Sequence, residues 1–301
     1  MGVVQHKSDA QPKPRAPHEG AVQEPRLQAL DLACGYDGAP VIEQVNFSLA
    51  PGEVCCILGP NGVGKTTLFK TLLGVLPALG GQVLIDGQDA AQMSRQHIAR
   101  KVGYVPQAHT PPFPFTVLDV VEMGRTSHVD VFQAPSAHDR DIAIEALNTL
   151  GIAHLAERLY TQISGGERQM VLIARALAQQ ASLLIMDEPT ASLDFGNQLD
   201  VLSYVRQLAR AGLSVLMTTH TPDHVFMCAD SVVAVKDSRD VVSGKVDDVL
   251  TDAVVEELYG VRVRVTDVPA GKGSVRMVVP ELRKGENRRA QAIRDFLQRG
   301  D

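Results

Sequence analysis

The sequence predicts an α/β fold, and three observations carry that reading. Short continuous apolar runs, "EVCCILG", "SLLIMDE", "LSVLMTTH" and "SVVAVKD", have the length and composition of strands buried on both faces. Helical segments alternate with them, the pattern of a largely parallel sheet covered by helices. A glycine-rich loop joins the first of these strands directly to a helix, "KTTLFKTLLGVL".

Taken in order, residues 1 to about 25 are polar and carry Pro12, Pro14, Pro17 and Pro25, which predicts a disordered leader. From Leu27 the runs become β-like: "VIEQVNFSLA" alternates, and "GQVLIDG" and "KVGYVP" follow the first helix. From about Pro111 to Gln180 the character is helical, with "TVLDVVEMGR" and "HDRDIAIEALNTLGIAHLAERL", which predicts a helical insertion in the core. "PPFPF", Pro111 to Phe115, is read as the loop leading into it rather than as a polyproline ligand. The alternating strands and helices then resume. One domain over 26–260 is expected, followed by an extension over 261–301 with strand-like "VRVRV" and "SVRMVVP" and a charged, solvated helical end, "RRAQAIRDFLQR".

Composition narrows the function classes. The net charge of −6 gives no general attraction to nucleic acid. No apolar run approaches the ~20 residues that span a bilayer, and the amino-terminal stretch lacks a signal-peptide core. Met1-Gly2 does not complete a myristoylation motif, because His6 stands where Ser or Thr is needed. A cytoplasmic chain is therefore expected. Cys34, Cys55, Cys56 and Cys228 form no CxxC pair and read as buried thiols. "HTPDH" spaces His220 and His224 by four, but Thr221 stands where a zinc protease needs Glu. His109, His128 and His138 have no ligand-like spacing and read as surface histidines.

"GPNGVGKT" completes G-x-x-x-x-G-K-[ST] between a buried strand and a helix. The glycines Gly59, Gly62 and Gly64 would let the loop through Pro60, Asn61 and Val63 curl so that its backbone N–H groups, which Pro60 lacks, point at phosphate oxygens at a helix N-terminus. Lys65 would reach the β- and γ-phosphates, Thr66 would ligate Mg²⁺, and Thr67 adjoins them in the nucleotide site. In "SLLIMDEP", Asp187 ends an apolar strand where α/β sheets bind ligands, as a Mg²⁺-holding carboxylate requires. Glu188 beside it is placed to orient or deprotonate an attacking water. These motifs define a P-loop NTPase and leave mechanochemical ATPases, kinases and GTPases open.

A second glycine pair lies in "YTQISGGERQM". Ser164 and Glu167 form a capping box before a helix, and capping alone has no need of Gly165 and Gly166. Consecutive glycines cost up to ~1 kcal/mol each where they lie inside a helix, so bare backbone there suggests close approach to phosphate.

"ISGGE" resembles the signature motif of the ATP-binding-cassette (ABC) ATPases, and the rest of that family's set follows in order over residues 27 to about 245. The resemblance implies that Tyr36 stacks on adenine and that Gln107 in "YVPQ" contacts Mg²⁺ and the attacking water. It makes Ser192 to Asp194 the D-loop and His220 the switch histidine at the γ-phosphate. It also implies an antiparallel β subdomain beside the nucleotide-binding core, and a head-to-tail dimer with ATP shared between the P-loop of one copy and Ser164, Gly165, Gly166 and Glu167 of the other.

The chain has one motif set, no heptad run and no basic arm, so a transport motor is favoured over a soluble ABC ATPase working on nucleic acid or ribosomes. "PFTVLDVVEMGRTSHVDVF" and "TTHTPDHVFMCAD" are similar to importers of metal chelates: iron–siderophore, haem, cobalamin and, in some members, molybdate or tungstate. An exporter is the alternative. The resemblance implies separate membrane permease subunits, a solute-binding protein upstream of them, and a position at the cytoplasmic face of the membrane.

Overall fold

The structure, a computed structural model, describes residues 24–107, 114–129, 135–271 and 273–281. The expected leader up to residue 23, His109, most of "PPFPF" and the charged terminal helix lie outside the described residues.

Six strands form the central sheet in the order β10-β9-β3-β8-β7-β6. The runs that read as buried strands are β3 (Val54–Leu58), β7 (Leu183–Met186), β8 (Ser214–Thr219) and β9 (Ser231–Val235). With β6 (Val102–Val105) they pair in parallel, while β10 (Val241–Lys245) closes one edge antiparallel to β9. Every residue of β3, β7 and β8 is buried, as a parallel sheet covered on both faces requires. The two-residue period of the strand sorts their side chains into two cores. Val54, Cys56, Leu58, Leu184, Met186, Val215 and Met217 face one; Cys55, Ile57, Leu183, Ile185 and Leu216 face the other. All four cysteines are buried and unbridged.

The second core is closed by a four-stranded antiparallel sheet, β2-β1-β4-β5, made of β1 (Leu27–Tyr36), β2 (Ala39–Leu49), β4 (Gly80–Ile85) and β5 (Gln88–Asp89). Helix α1 (Lys65–Leu72) packs into the same core through Leu68, Phe69 and Leu72. It is shorter than "KTTLFKTLLGVL" suggests, since Gly74 adopts φ +68° and turns the chain. Helix α2 (Arg95–Lys101) leads into β6.

Between β6 and β7 the described residues are helical: α3 (Val117–Glu122), α4 (Ala137–Thr149), α5 (Gly165–Ala178) and short 3₁₀ turns. Thr116, Ser136 and Ser164 start them with three complete capping boxes. A buried guanidinium joins two of these helices. Arg125 donates to Asp139 Oδ1 in α4 at 3.0 Å, to the Ala178 carbonyl ending α5 at 2.8 Å, and to Gln180 Oε1 at 3.0 Å. Helices α6 (Phe195–Arg210) and α7 (Pro222–Cys228) flank β8 in sequence. Helices α8 (Val246–Val249) and α9 (Asp252–Tyr259) follow the sheet, and a hairpin of β11 (Val263–Ala270) and β12 (Gly273–Pro280) ends the described chain.

Removing one partner of a buried ion pair costs about 3–5 kcal/mol. Arg125→Met is therefore expected to lose stability on that scale, read as a lower urea midpoint. The Asp139 carboxyl is held well below the usual carboxylate range by the Ser136 hydroxyl, then the Ser136 N–H and Arg125. That contribution is present above the unfolded value near pH 4 and is lost as pH falls toward the folded one. The wild-type midpoint should fall on acidification below about pH 4, and that drop should be smaller in Arg125→Met.

Candidate functional site

Four parallel strands deliver their C-terminal ends to one edge, where open α/β sheets bind ligands. In register, Leu58 of β3 lies beside Thr219 of β8, and Val105, Met186 and Met217 lie abreast on β6, β7 and β8. The next residues of each strand are the predicted ones: Gly59 after β3, Pro106 and Gln107 after β6, Asp187 and Glu188 after β7, His220 after β8. Sheet order, rather than sequence proximity, brings them together.

The loop from Gly59 to Gly64 turns back over α1. Gly64 is the N-cap at φ +111° with no side-chain cap bond, so the first N–H groups of α1 have no side chain folded over them. A Cβ at Gly64 would stand 2.7 Å from Val41 and 2.8 Å from Ile42, so this glycine is required both by conformation and by packing. Lys65 is 6% exposed and donates to the carbonyls of Gly59 at 2.8 Å and Pro60 at 3.1 Å. Burial lowers its pKa, and the charge of Glu188, 3.6 Å away, opposes that.

Asp187 and Glu188 are fixed by one hydroxyl that sequence reasoning missed. Thr218 Oγ1 donates to Asp187 Oδ1 at 2.8 Å and accepts the Glu188 N–H at 2.8 Å. Burial raises the pKa of Asp187, and the Thr218 bond opposes it. Glu188 takes the left-handed φ of +44°, rare for a residue with a side chain. Its carboxylate stands between two cationic or proton-carrying groups, Lys65 Nζ on one oxygen and His220 Nδ1 at 3.3 Å from the other. Tyr259, also missed, donates its hydroxyl to the His220 carbonyl at 2.8 Å from α9.

Val41, Asn61, Gly62, Gly64, Lys65, Thr66, Thr67, Gln107, Asp187 and Glu188 line a cleft of about 480 Å³. Tyr36 lies at its approach, 43% exposed. Its phenol pKa is lowered by a bond from Thr67 and by the Lys70 ammonium, which sits 6.0 Å from the ring centroid. Uncapped helix N–H groups and a buried ammonium suit a polyphosphate. A Thr hydroxyl, a carboxylate and an amide carbonyl suit a hard divalent cation. The residues present fit Mg²⁺-ATP.

Ser164, Gly165, Gly166, Glu167 and Asp194 line none of this cleft. Ser164 Oγ accepts the Glu167 N–H at 3.2 Å, and the Glu167 carboxylate accepts the Ser164 N–H at 2.7 Å. That bond first of all lowers the Glu167 pKa. The structure supplies a reason for Gly166 that the sequence did not. A Cβ there would collide with the Asn197 amide, its Cγ lying 2.6 Å away. Asp194 caps α6 and holds the same amide, accepting from Asn197 N at 2.9 Å and Nδ2 at 2.9 Å. The starts of α5 and α6 are thus packed together through Asn197, while a Cβ at Gly165 would meet Leu193 at 3.9 Å. His224 is 8% exposed, with Nδ1 at 3.3 Å from Thr190 and 3.4 Å from Thr219, a structural contact in the core. Among the described residues no cluster of His, Cys, Asp and Glu could hold a metal by itself.

Comparison with known proteins agrees with this geometry. Residues 42–191 match the ABC transporter family. An uncharacterized ABC transporter ATP-binding protein of Haemophilus influenzae is 48% identical over 69% of this chain and 79% of its own. The hemin import ATP-binding protein of Gloeobacter violaceus is 37% identical over 86% of this chain and 100% of its own. Among solved structures, an ABC transporter described as of the metal-chelate type, in an inward-facing conformation, superposes with a TM-score of 0.78. It is 32% identical and covers 86% of this chain and 98% of its own. The chain belongs to the ATP-binding subunits of ABC transporters, in the metal-chelate importer group.

Proposed function

We propose that the chain hydrolyses ATP, with Mg²⁺, to drive uptake of a metal chelate such as haem, an iron–siderophore or cobalamin, or of an oxyanion such as molybdate, through separate membrane permease subunits. The observation that carries the hydrolytic reading is the Glu188 carboxylate, set between Lys65 and His220 at the edge of the cleft. The hemin-import relative and the metal-chelate transporter structure support the cargo class. Among the described residues no helix is long and apolar enough to cross a membrane, which suits a subunit seated on permeases at the cytoplasmic face. A solute-binding protein would deliver cargo to the far side.

In this reading the N-terminus of α1 and Lys65 hold the phosphates, with Asn61, Gly62, Gly64 and Thr67 around them. Thr66, Asp187 and Gln107 would hold Mg²⁺, which when bound neutralises charge gathering on the phosphate oxygens. Glu188 orients the attacking water and takes its proton, a role that fits a carboxylate kept in place by its own backbone bond to Thr218. His220 steadies that carboxylate and faces the terminal phosphate, and Tyr36 offers its open ring to the adenine. Ser164, Gly165, Gly166, Glu167 and Asp194 stand away from this cleft. They serve ATP held by a second copy, so hydrolysis belongs to a dimer that ATP closes and its cleavage reopens.

Two outcomes test this. Glu188→Gln should lower hydrolysis at least ~100-fold, the scale of a general base. It should also accumulate as an ATP-bound dimer in light scattering, and a monomer hydrolysing at the wild-type rate would refute the assignment. Ser164→Arg should keep the monomer's ATP affinity, measured by titration with a fluorescent ATP analogue, while ending turnover; loss of ATP binding itself would exclude the shared site.

A further inference from the structure

His220 must be held firmly to act on Glu188, yet its own segment has few internal ties. It lies between the end of β8 at Thr219 and the start of α7 at Pro222. Pro222 has no N–H, and the α7 N-cap, Thr221, makes no side-chain cap bond. Thr221 N–H bonds back to Thr219 Oγ1 at 3.1 Å, which fixes the residue after the histidine.

Two further ties come from beyond the central sheet. Tyr259 Oη donates to the His220 carbonyl at 2.8 Å. Asp223, in the first turn of α7, spends its carboxylate on the N–H of Val278 in β12 at 2.8 Å. The region that makes these ties is itself cross-linked. Val263 and Val265 N–H bond to Glu256 at 3.1 Å and Asp252 at 2.6 Å in α9, and Arg276 of β12 pairs with Asp247 of α8 at 2.6 Å. Gly260, at φ +67°, ends α9 at Tyr259 and turns the chain into β11. Residues 246–281 therefore grip the switch segment at two points, His220 and Asp223.

We propose that Tyr259 is a positioning residue for ATP hydrolysis: its hydroxyl holds His220 against Glu188, and the α9–hairpin unit holds Tyr259. Burial raises the phenol's pKa, and the charge of Glu188 adds to that, so the hydroxyl remains a donor at any pH where the protein works. Tyr259 does not line the nucleotide cleft, so its loss acts on the chemical step rather than on binding. The inference rests on the roles given above to Glu188 and His220.

Tyr259→Phe in the full chain deletes only the hydroxyl. Steady-state hydrolysis should show kcat reduced about tenfold, on the scale of one hydrogen bond. KM for Mg²⁺-ATP should stay near wild type, the thermal midpoint should fall by no more than the roughly 2–4 °C that one hydrogen bond is worth, and the ATP-bound dimer should be more populated at steady state because it turns over slowly. An unchanged kcat overturns the proposal. So does a fall in kcat matched by a raised KM or by a larger fall in melting temperature with fewer dimers, since that is the mark of a general structural role. Glu188→Gln measured alongside separates the two levels. If it hydrolyses normally, the reading of the site is wrong; if it is inactive while Tyr259→Phe is normal, only the brace is wrong.

Discussion

The site depends on how one hydroxyl on a central strand is used. Thr218 Oγ1 has a proton to give and lone pairs to accept with, and both are spent on the two residues that follow β7: the Asp187 carboxylate and the Glu188 N–H. Two neighbouring acids at a strand end would otherwise swing independently. The bond to Asp187 turns that carboxylate toward the cleft. The bond to the Glu188 N–H holds a backbone at φ +44°, a conformation that costs energy and persists only where its surroundings over-determine it. From that fixed point the Glu188 side chain meets Lys65 and His220, each delivered by a different strand. Without the lateral order of β3, β8 and β7, none of these residues would share a space.

That order is a consequence of burial on both faces. Alternate residues of the same five-residue strand, Cys55 and Ile57 on one side and Val54, Cys56 and Leu58 on the other, feed two separate cores. The sheet is therefore clamped between the antiparallel sheet with α1 and the layer of α3 to α7. Its interior has no free edge along which a strand could slip, and a one-residue slip would exchange every side chain between the cores. The C-terminal edge of the sheet inherits this order, since Gly59, Gln107, Asp187, Glu188 and His220 lie one or two positions past the last paired residues of their strands.

Strands, the P-loop and the acidic pair were legible in the sequence because each is written in local pattern: a continuous apolar run, fixed glycine spacing, a carboxylate after a strand. The helical stretch between β6 and β7 was legible through its helical runs and the Ser164–Glu167 capping box, whereas the boxes at Thr116 and Ser136 emerge only in the fold. What was not legible depends on partners distant in the chain. Thr218 differs in sequence from Thr219 by nothing, yet one faces Asp187 and the other His224; only strand parity and sheet order separate them. Tyr259 belongs to no motif, and only the fold sets its hydroxyl 2.8 Å from the His220 carbonyl. The early end of α1 was foreshadowed by Gly74, which an apolar run around it obscured.

Gly166 shows how such a contact changes the meaning of a motif. Two glycines at a capped helix start suggest backbone laid bare for phosphate, or glycines that ease the turn into the helix. In the fold the pair divides. Gly165 has room for a Cβ, while Gly166 has its space taken by Asn197, which Asp194 holds by two bonds. A larger residue at Gly166 would have to displace the Asn197 amide and its bonds to Asp194 before any nucleotide is considered. The start of α5 and the start of α6 meet at an amide that fills the space a Cβ at Gly166 would need. Two segments that lie 28 residues apart in sequence, counting from Gly166 to Asp194, are joined side by side through the Asn197 amide.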